Sequence, residues 1–365
     1  MQQDSYMYTT WRRLKKKPAA MSGLIILVAT FLIAVLGYYI APDASPNADL
    51  QTVEIQAKKP GYTQLFLKIP NNKNNDVNWL ERSFSGKPSD HKFVPIKNYR
   101  VRKDTLMVNK FIDEDTTVVQ YYSINQLTNN QPEKLLKENI ITKKYWLGTD
   151  RFGRDILSRL IIGARVSLAV GLIAVLISLT IGIILGTLAG YYRKWVDAIV
   201  MWLINVVWSI PTLLLVFAIT LVLGKGFWQI FIAVGLTMWV NVARLVRGQI
   251  LAIKELEFVQ AARALGYTDA RIIVKHLLPN IIGPILVIAA GNFASAIIIE
   301  AGLSFLGIGV QPPQPSWGLM IKENYNFIIT HNPMLALIPG LAIILLVLAV
   351  NLLGNGLRDA ADVKN

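Results

Sequence analysis

Six long apolar runs constrain the fold of this chain more than any other feature of its sequence. The hydrocarbon core of a bilayer is about 30 Å thick, so a helix needs about 20 mostly apolar residues to cross it. Six runs meet this length, at 21–40, 163–190, 198–223, 228–246, 280–303 and 335–355. A hydrophobic content of 53% is also high for a soluble domain. We therefore predict an all-α polytopic membrane protein with six transmembrane helices.

The positive charge of the chain predicts its topology. The formal net charge is +14, and five basic residues precede the first apolar run, at positions 12, 13, 15, 16 and 17. Short basic segments mark the cytoplasmic side of membrane proteins, so the N-terminus is predicted to lie inside. Counting spans from there places 247–279 and the C-terminus inside as well. A compact basic face with base-reading elements is not recognisable, so we do not expect binding to nucleic acid.

Composition divides the chain into five regions. They are a cytoplasmic N-terminal segment (1–20), a first transmembrane helix (21–40), an extracytoplasmic insert (41–145), a transmembrane domain with helices 2–6 (146–356) and a cytoplasmic tail (357–365). The first helix is interpreted as uncleaved, because its apolar run is longer than that of a typical signal peptide.

The insert differs in composition from the rest of the chain. It is rich in Asn, Lys, Asp and Pro, and a turn-forming cluster occupies 71–76. Alternating patterns predict short β-strands at 63–69, 92–101, 105–112 and 116–124. We therefore expect a small β-rich insert between helices 1 and 2. The sequence leaves open whether it packs on the membrane domain, offers a docking surface to a soluble partner or forms a disordered linker.

The connector 257–279 is unusual, because it predicts two small amphipathic helices between two apolar runs. On the first, Phe258, Ala261, Ala262 and Leu265 share one face by their i, i+3, i+4, i+7 spacing. Gly266 fits the left-handed residue that ends a helix. The second helix is expected to close at position 279, where a proline fits the first turn of the fifth span. The thin face suits a narrow cleft on a soluble partner, and the alternative is a helix lying on the lipid surface.

The same connector carries a family resemblance. The pattern Gln260-Ala261-Ala262, Gly266 and Leu278-Pro279 resembles the EAA motif of binding-protein-dependent ABC importer permeases. Glutamate is usual where Gln260 stands, and an aliphatic residue where His276 stands. Further segments, at 11–13, 146–155, 303–318 and 356–359, are similar to the second permease type of dipeptide, oligopeptide and nickel systems. The likeness covers 1–40 and 146–362 and leaves 41–145 unmatched.

This resemblance implies a fold, a function and a set of partners. The fold would be the type I ABC importer permease fold, in a bacterial inner membrane with both termini cytoplasmic. The chain would form the pore for di- or oligopeptides with a homologous permease subunit. Two cytoplasmic ABC ATPase subunits would bind ATP and Mg²⁺, and an extracytoplasmic binding protein would deliver substrate. The coupling segment 254–276 would contact an ATPase, and its motif residues are Phe258, Gln260, Ala261, Ala262, Gly266, Leu278 and Pro279.

Three other interpretations remain open from the sequence. They are an ATP-independent transporter or channel, an ABC permease for nickel or another small solute, and a structural membrane protein whose insert carries the function. An ATP-independent transporter typically shows inverted repeats with broken helices or charged residues at mid-membrane.

The sequence carries no catalytic or metal-binding motif, so we predict that this chain is not an enzyme. A Walker A loop needs GxxxxGK[ST], whereas Gly86-Lys87 is followed by Pro and Gly224-Lys225 by Gly. There is no cysteine, and the three histidines, at 91, 276 and 331, show no ligand spacing. No cofactor is expected in this chain.

Three residues within the spans are candidates for the translocation path or a gate. Glu300 is a carboxylate in an apolar run, which favours a cavity wall, an outer gate or a hydrogen bond at the helix end. Pro211 predicts a kink in the third span. Asn292 fits either a path or helix–helix hydrogen bonding. In addition, glycines at 182, 186 and 190 share one helix face and predict tight packing against a neighbouring helix, in this chain or in a second subunit.

Overall fold

The computed structural model describes residues 6–71, 77–128, 138–224, 226–329 and 332–361. Most of the predicted turn cluster (72–76), Lys225 and His331 lie outside these residues. The chain forms two compact units. The first comprises Met1–Phe31, Ser167–Gln311 and Ala342–Asn365, and the second Leu32–Val166 and Pro312–Leu341.

Helices make up most of the described chain. In chain order they are α1 (Tyr6–Lys15), α2 (Pro18–Val35), α3 (Gly37–Ile40), α4 (Trp79–Ser85), α5 (Ile124–Thr128), α6 (Ile156–Tyr192), α7 (Lys194–Trp208), α8 (Thr212–Leu223), α9 (Phe227–Ile253), α10 (Glu257–Ala264), α11 (Asp269–Ile272), α12 (Ile282–Leu306), α13 (Trp317–Asn324) and α14 (Met334–Ala361).

Among the described residues, five helices are long and apolar enough to cross a membrane, or six if one bent pair counts as a span. The prediction of a helical polytopic membrane protein is therefore confirmed. The bent pair is α7 with α8, which meet at 92°. The predicted third span over 198–223 corresponds to this bent pair, and the kink predicted at Pro211 is confirmed. Proline lacks the backbone N–H and clashes with the preceding turn, so the helix stops and restarts there.

The first unit contains the glycine face of α6 packed on α9. A Cβ added to Gly182 would lie 2.5 Å from the Cβ of Val242, and one added to Gly186 would lie 2.4 Å from the carbonyl oxygen of Ala243. Real Cβ atoms do not approach neighbours this closely, so only glycine permits this spacing. The predicted tight packing is confirmed, and it occurs within the chain.

The second unit contains a five-stranded antiparallel sheet in the order β4-β3-β2-β1-β5. The strands are β1 (Tyr62–Pro70), β2 (His91–Arg102), β3 (Thr105–Phe111), β4 (Thr117–Ser123) and β5 (Ile140–Tyr145). The four predicted strands are confirmed, and β5 was not predicted. One face of the sheet packs through Leu67, Val94, Leu106 and Val108 against α5. The β-rich insert is therefore a small folded sheet rather than a linker.

Candidate functional site

The connector after α9 begins with α10, and Gly266 ends this helix as predicted. Gly266 has φ of 78°, and its N–H donates to the carbonyl of Arg263 at 3.0 Å. The N–H of Tyr267 donates to the carbonyl of Ala262 at 3.2 Å. These two bonds form a Schellman motif, in which a left-handed residue lets the chain reverse and satisfies carbonyls at the helix end.

The apolar residues of α10 point in two directions. Val259 and Ala262 are buried in a core cluster with side chains of α9, α11 and α12. Phe258 and Leu265 are 42% and 72% exposed, and Ala261 is exposed between them. The predicted single four-residue face is therefore wrong for Ala262, because the packing face of the helix falls between positions 259 and 262. The helix is anchored through one strip of its surface and exposes an apolar strip next to it.

The second predicted helix of the connector is not closed by Pro279. α11 continues through a wide turn (Ile273–Leu277) and a tight turn (Leu278–Ile281) into α12, so that one helical rod runs over Asp269–Leu306. The expectation of a break at Pro279 is wrong. In the wide turn the N–H of Leu278 donates to the carbonyl of Ile273. Pro279 has no N–H to donate, and the π-type turn before it lets the helix continue despite this missing hydrogen bond. Leu278 packs partly buried against the core cluster, while Pro279 is exposed.

Tyr191, at the end of α6, joins α6 to the connector. Its hydroxyl donates to a carboxylate oxygen of Asp269 at 2.5 Å. The amine of Lys254 donates to the backbone carbonyl of Tyr191 and lies 4.9 Å from its ring centroid. The guanidinium of Arg263 lies 5.7 Å from the same centroid. Burial, followed by the positive charge of Arg263, lowers the pKa of Lys254. The connector is therefore held to α6 by polar as well as apolar contacts.

The structure gives the amide of Gln260 a role within the connector. Its Nε2 donates to the backbone carbonyl of Glu255 at 3.1 Å. An ionised glutamate has only acceptors and cannot make this bond. Glu255 in turn pairs with Arg193, at 2.9 Å. The departure from the usual glutamate thus replaces a charge with a hydrogen bond that stabilises the start of α10.

A cavity of about 340 Å³ lies beside the break between α7 and α8. Its lining includes Trp208 and Thr212, which flank the break, and Asn292 of α12. The side-chain amide of Asn292 also donates to Ser178 at 3.3 Å and to the carbonyl of Met238 at 3.4 Å. Asn292 therefore joins three helices and borders the cavity. These contacts combine the two predicted interpretations of Asn292, a path residue and a helix–helix hydrogen bond.

Glu300 is fully buried and is not among the residues that line this cavity, although it directly follows Ile299, which is. Its Oε1 accepts a hydrogen bond from the hydroxyl of Ser304 at 2.7 Å, and this hydroxyl accepts one from the N–H of Val310 at 3.1 Å. The carboxylate therefore fixes the turn that follows α12. Of the three candidate path residues, the structure brings Asn292 and the Pro211 break together and leaves Glu300 in a separate network.

The second unit contains a buried ionic cluster that the sequence analysis did not identify. Arg154 contacts Asp49 at 3.0 Å, Asp150 at 2.6 Å and Glu323 at 2.6 Å, and Arg159 lies 3.5 Å from Glu323. Both arginines are essentially inaccessible to solvent. Burial alone lowers the pKa of Arg154, but Asp150 and Glu323 raise it overall. The sequence feature that could have predicted this cluster is the run of charged residues within 146–159, directly before an apolar helix.

Comparison with known proteins agrees with this architecture. Residues 182–364 match the family model of the binding-protein-dependent transport system inner membrane component. Residues 5–57 match the N-terminal transmembrane domain of oligopeptide transport permease C.

Individual relatives are similar over more than half of the chain. A glutathione transport system permease protein of Pectobacterium atrosepticum is 44% identical over 60% of this chain and 73% of its own length. A dipeptide transport system permease protein of Alkalihalophilus pseudofirmus is 42% identical over 60% and 72%. A solved chain of the inward-facing MetNI methionine ABC transporter is 19% identical over 56% and 97%, with a TM-score of 0.47. The family match and the identities to the glutathione and dipeptide permease proteins show that the chain belongs to the binding-protein-dependent transport system inner membrane components.

Proposed function

We propose that this chain is a pore-forming permease subunit of a peptide importer driven by ATP-binding-cassette subunits, with a type I permease fold. Family membership makes it a multi-pass membrane permease. Peptide cargo is supported by relatives that are named for glutathione and dipeptide transport. Di- and oligopeptides are therefore the proposed substrate class.

The proposal rests mainly on α10, which packs into the core through one strip of its surface and exposes an apolar strip next to it. Phe258, Ala261 and Leu265 form an exposed apolar face, which suits a groove on a cytoplasmic ATPase subunit. Val259 and Ala262, on the adjacent strip of the helix, pack into the cluster shared with α9, α11 and α12. A displacement applied to the exposed face would therefore reach three helices at once. The segment 254–276 is the proposed coupling element, with Gln260 and Gly266 shaping its first helix and Leu278 its attachment to the core.

The proposed translocation path includes the cavity beside the α7–α8 break. Asn292 and Asn241 offer amides in the wall of this cavity, and the break at Pro211 gives α8 freedom to change its angle to α7. Glu300 would act differently, because it holds the turn after α12. We assign it to a gate rather than to direct contact with the cargo.

The proposed topology places both termini and the coupling segment in the cytoplasm and residues 41–145 outside, in a bacterial inner membrane. The proposed partners are a homologous permease subunit, two ATPases that bind ATP and Mg²⁺, and an extracytoplasmic binding protein. Charge supports this orientation, because basic residues flank the first span at 12–17 and gather in the coupling segment.

The experiment is uptake of a labelled dipeptide into proteoliposomes that contain the assembled importer, its binding protein and ATP. Gly266→Val forces a β-branched residue into a φ of 78°, and Ala261→Arg places a charge on the exposed face. Both should abolish uptake and co-purification of the ATPases while the chain still inserts. Gly224→Val is the matched control, since Gly224 has φ of 89° and an added Cβ would likewise meet open space among the described residues. Uptake that persists without the ATPases would instead favour an ATP-independent transporter.

A further inference from the structure

The short helix α4 exposes three large apolar side chains. Trp79, Leu80 and Phe84 are 71%, 52% and 77% exposed. At about 100° per residue, the three lie within roughly 140° of the helix circumference. Glu81 and Arg82 lie on the remaining side. An exposed apolar patch with a polar rim is typical of a surface that contacts a protein or a membrane.

α4 is fixed to α3, which follows the first membrane helix. The hydroxyl of Tyr39 contacts the carbonyl of Trp79 at 3.2 Å and the hydroxyl of Ser83 at 2.8 Å. Gly86, directly after α4, has φ of 79°, and a Cβ added there would lie 2.7 Å from the ring of Tyr38. The close approach at Gly86 therefore sets the distance between the end of α4 and α3.

Arg165 of α6 binds the C-terminal ends of both α2 and α4. Its guanidinium donates to the carbonyls of Ala34 at 2.5 Å and Val35 at 2.9 Å. It also donates to the carbonyls of Ser83 at 2.5 Å and Phe84 at 3.3 Å. Carbonyls at a helix C-terminus lack partners within the helix, and hydrocarbon offers no water to replace them. The Arg165 side chain thus donates hydrogen bonds to the C-terminal carbonyls of two helices, α2 and α4, whose ends lie side by side.

The length of α2 indicates where these two helix ends lie relative to the bilayer. Its 18 residues span about 27 Å, close to the thickness of the bilayer hydrocarbon. Val35 therefore lies near the hydrocarbon boundary, and Tyr38 and Tyr39 follow in the zone where membrane proteins concentrate Tyr and Trp. Leu36 and Ile40 on the same stretch are 46% and 48% exposed. α4 lies beside this stretch, because it is held to Tyr39.

We propose that α4 is an interfacial membrane anchor, in which Trp79, Leu80 and Phe84 insert into the headgroup boundary of the bilayer. Helices of this kind bury their apolar face in the boundary between headgroups and acyl chains and keep their polar face in water. The anchor holds the loop between β1 and β2 on the membrane surface. It thereby fixes the height of the sheet above the bilayer, on whichever side the end of α2 emerges.

The test uses single-cysteine variants of the full chain, which contains no cysteine of its own. Leu80→Cys and Phe84→Cys carry a nitroxide on α4. Tyr121→Cys on β4 is the control, because Tyr121 is also a large apolar side chain and is 68% exposed. The variants are reconstituted in liposomes of phosphatidylethanolamine and phosphatidylglycerol. Collision of each nitroxide with oxygen, which partitions into lipid, is compared with collision with a water-soluble nickel chelate.

We expect oxygen to dominate at positions 80 and 84 and the nickel chelate to dominate at 121. Nickel accessibility at 80 and 84 equal to that at 121 would overturn the proposal, because α4 would then lie in water. Low accessibility to both reagents at 80 and 84 would also overturn it, since a protein surface rather than lipid would cover the helix.

Discussion

The hydroxyl of Tyr191 donates a 2.5 Å hydrogen bond to the carboxylate of Asp269, and this bond joins the end of α6 to the first turn of α11. Tyr191 is itself buried in the core cluster beneath the connector. Because α11 continues into α12, this contact connects the proposed coupling segment with two membrane helices. Any movement of the connector must therefore move α6 and α12 together or break this bond.

Tyr191→Phe removes this bond and keeps the ring. We expect a loss of about 1 kcal/mol in local stability, in keeping with a single hydrogen bond that is partly exposed. Hydrogen exchange of the connector should rise, and dipeptide uptake should fall while the ATPases remain bound. Tyr192→Phe is the control, because the neighbouring ring is 47% exposed. Equal exchange in both variants would show that the hydroxyl does not hold the connector.

Gly186→Ala should destabilise the chain through the contact of α6 with α9. An added Cβ would lie 2.4 Å from a backbone oxygen, which cannot move like a side chain. Overpacking of this kind costs about 1–3 kcal/mol. Gly291→Ala in α12 is the control, because a Cβ there meets open space among the described residues. Thermal unfolding in detergent should show a lower midpoint for the first variant, and an unchanged midpoint would contradict the tight packing.

Glu323→Gln should strongly destabilise the second unit. It leaves Arg154 and Arg159 buried with less negative charge beside them. Removing one partner of a buried ion pair costs about 3–5 kcal/mol. Glu114→Gln is the control, because it breaks an ion pair of Lys58 in which the glutamate side chain is 81% exposed. Such exposed pairs contribute about 0–1 kcal/mol. The stability of the sheet is measured by limited proteolysis. An equal loss of stability in the two variants would contradict the larger effect expected for Glu323→Gln.

The buried amine of Lys143 in β5 should make the stability of the folded chain depend on pH. Burial lowers the pKa of its amine from 10.5 to about 8, although the amine lies 3.3 Å from the ring centroid of Phe93. Below pH 8 the amine is protonated in the folded and the unfolded chain, and folding must bury the charge. Between pH 8 and 10.5 only the folded chain releases the proton, so its stability should rise with pH. Lys143→Met should remove this rise in pH-dependent unfolding, and Lys144→Met should keep it.

The sequence predicted the regular parts of this structure because they follow simple periodicity. Apolar runs long enough to cross a bilayer identified the membrane helices, and alternation identified four strands. β5 was not predicted, because its sequence, Ile-Ile-Thr-Lys-Lys-Tyr, lacks a clear alternation. Its place is set by pairing with β1. α4 escaped because seven residues are too few for a helical period to stand out.

The candidate site was predicted in part for similar reasons. The left-handed conformation of Gly266 is a local property, so its residue type predicted it. The burial of Ala262 depends on how α10 sits on α9 and α12, which no local pattern contains. The continuation of the helix through Pro279 likewise depends on packing, because the wide turn before it is stabilised by the surrounding core.

Chemical labelling at position 265 tests whether α10 couples this chain to the ATPase subunits. Leu265 is 72% exposed, so Leu265→Cys should react rapidly with a maleimide in the permease alone. Binding of the ATPase subunits should block this reaction and leave the rate at Tyr121→Cys unchanged, because the proposal places the sheet on the opposite side of the membrane. Unchanged labelling of position 265 in a complex that contains the ATPases and hydrolyses ATP would contradict the assignment of α10 as the coupling helix.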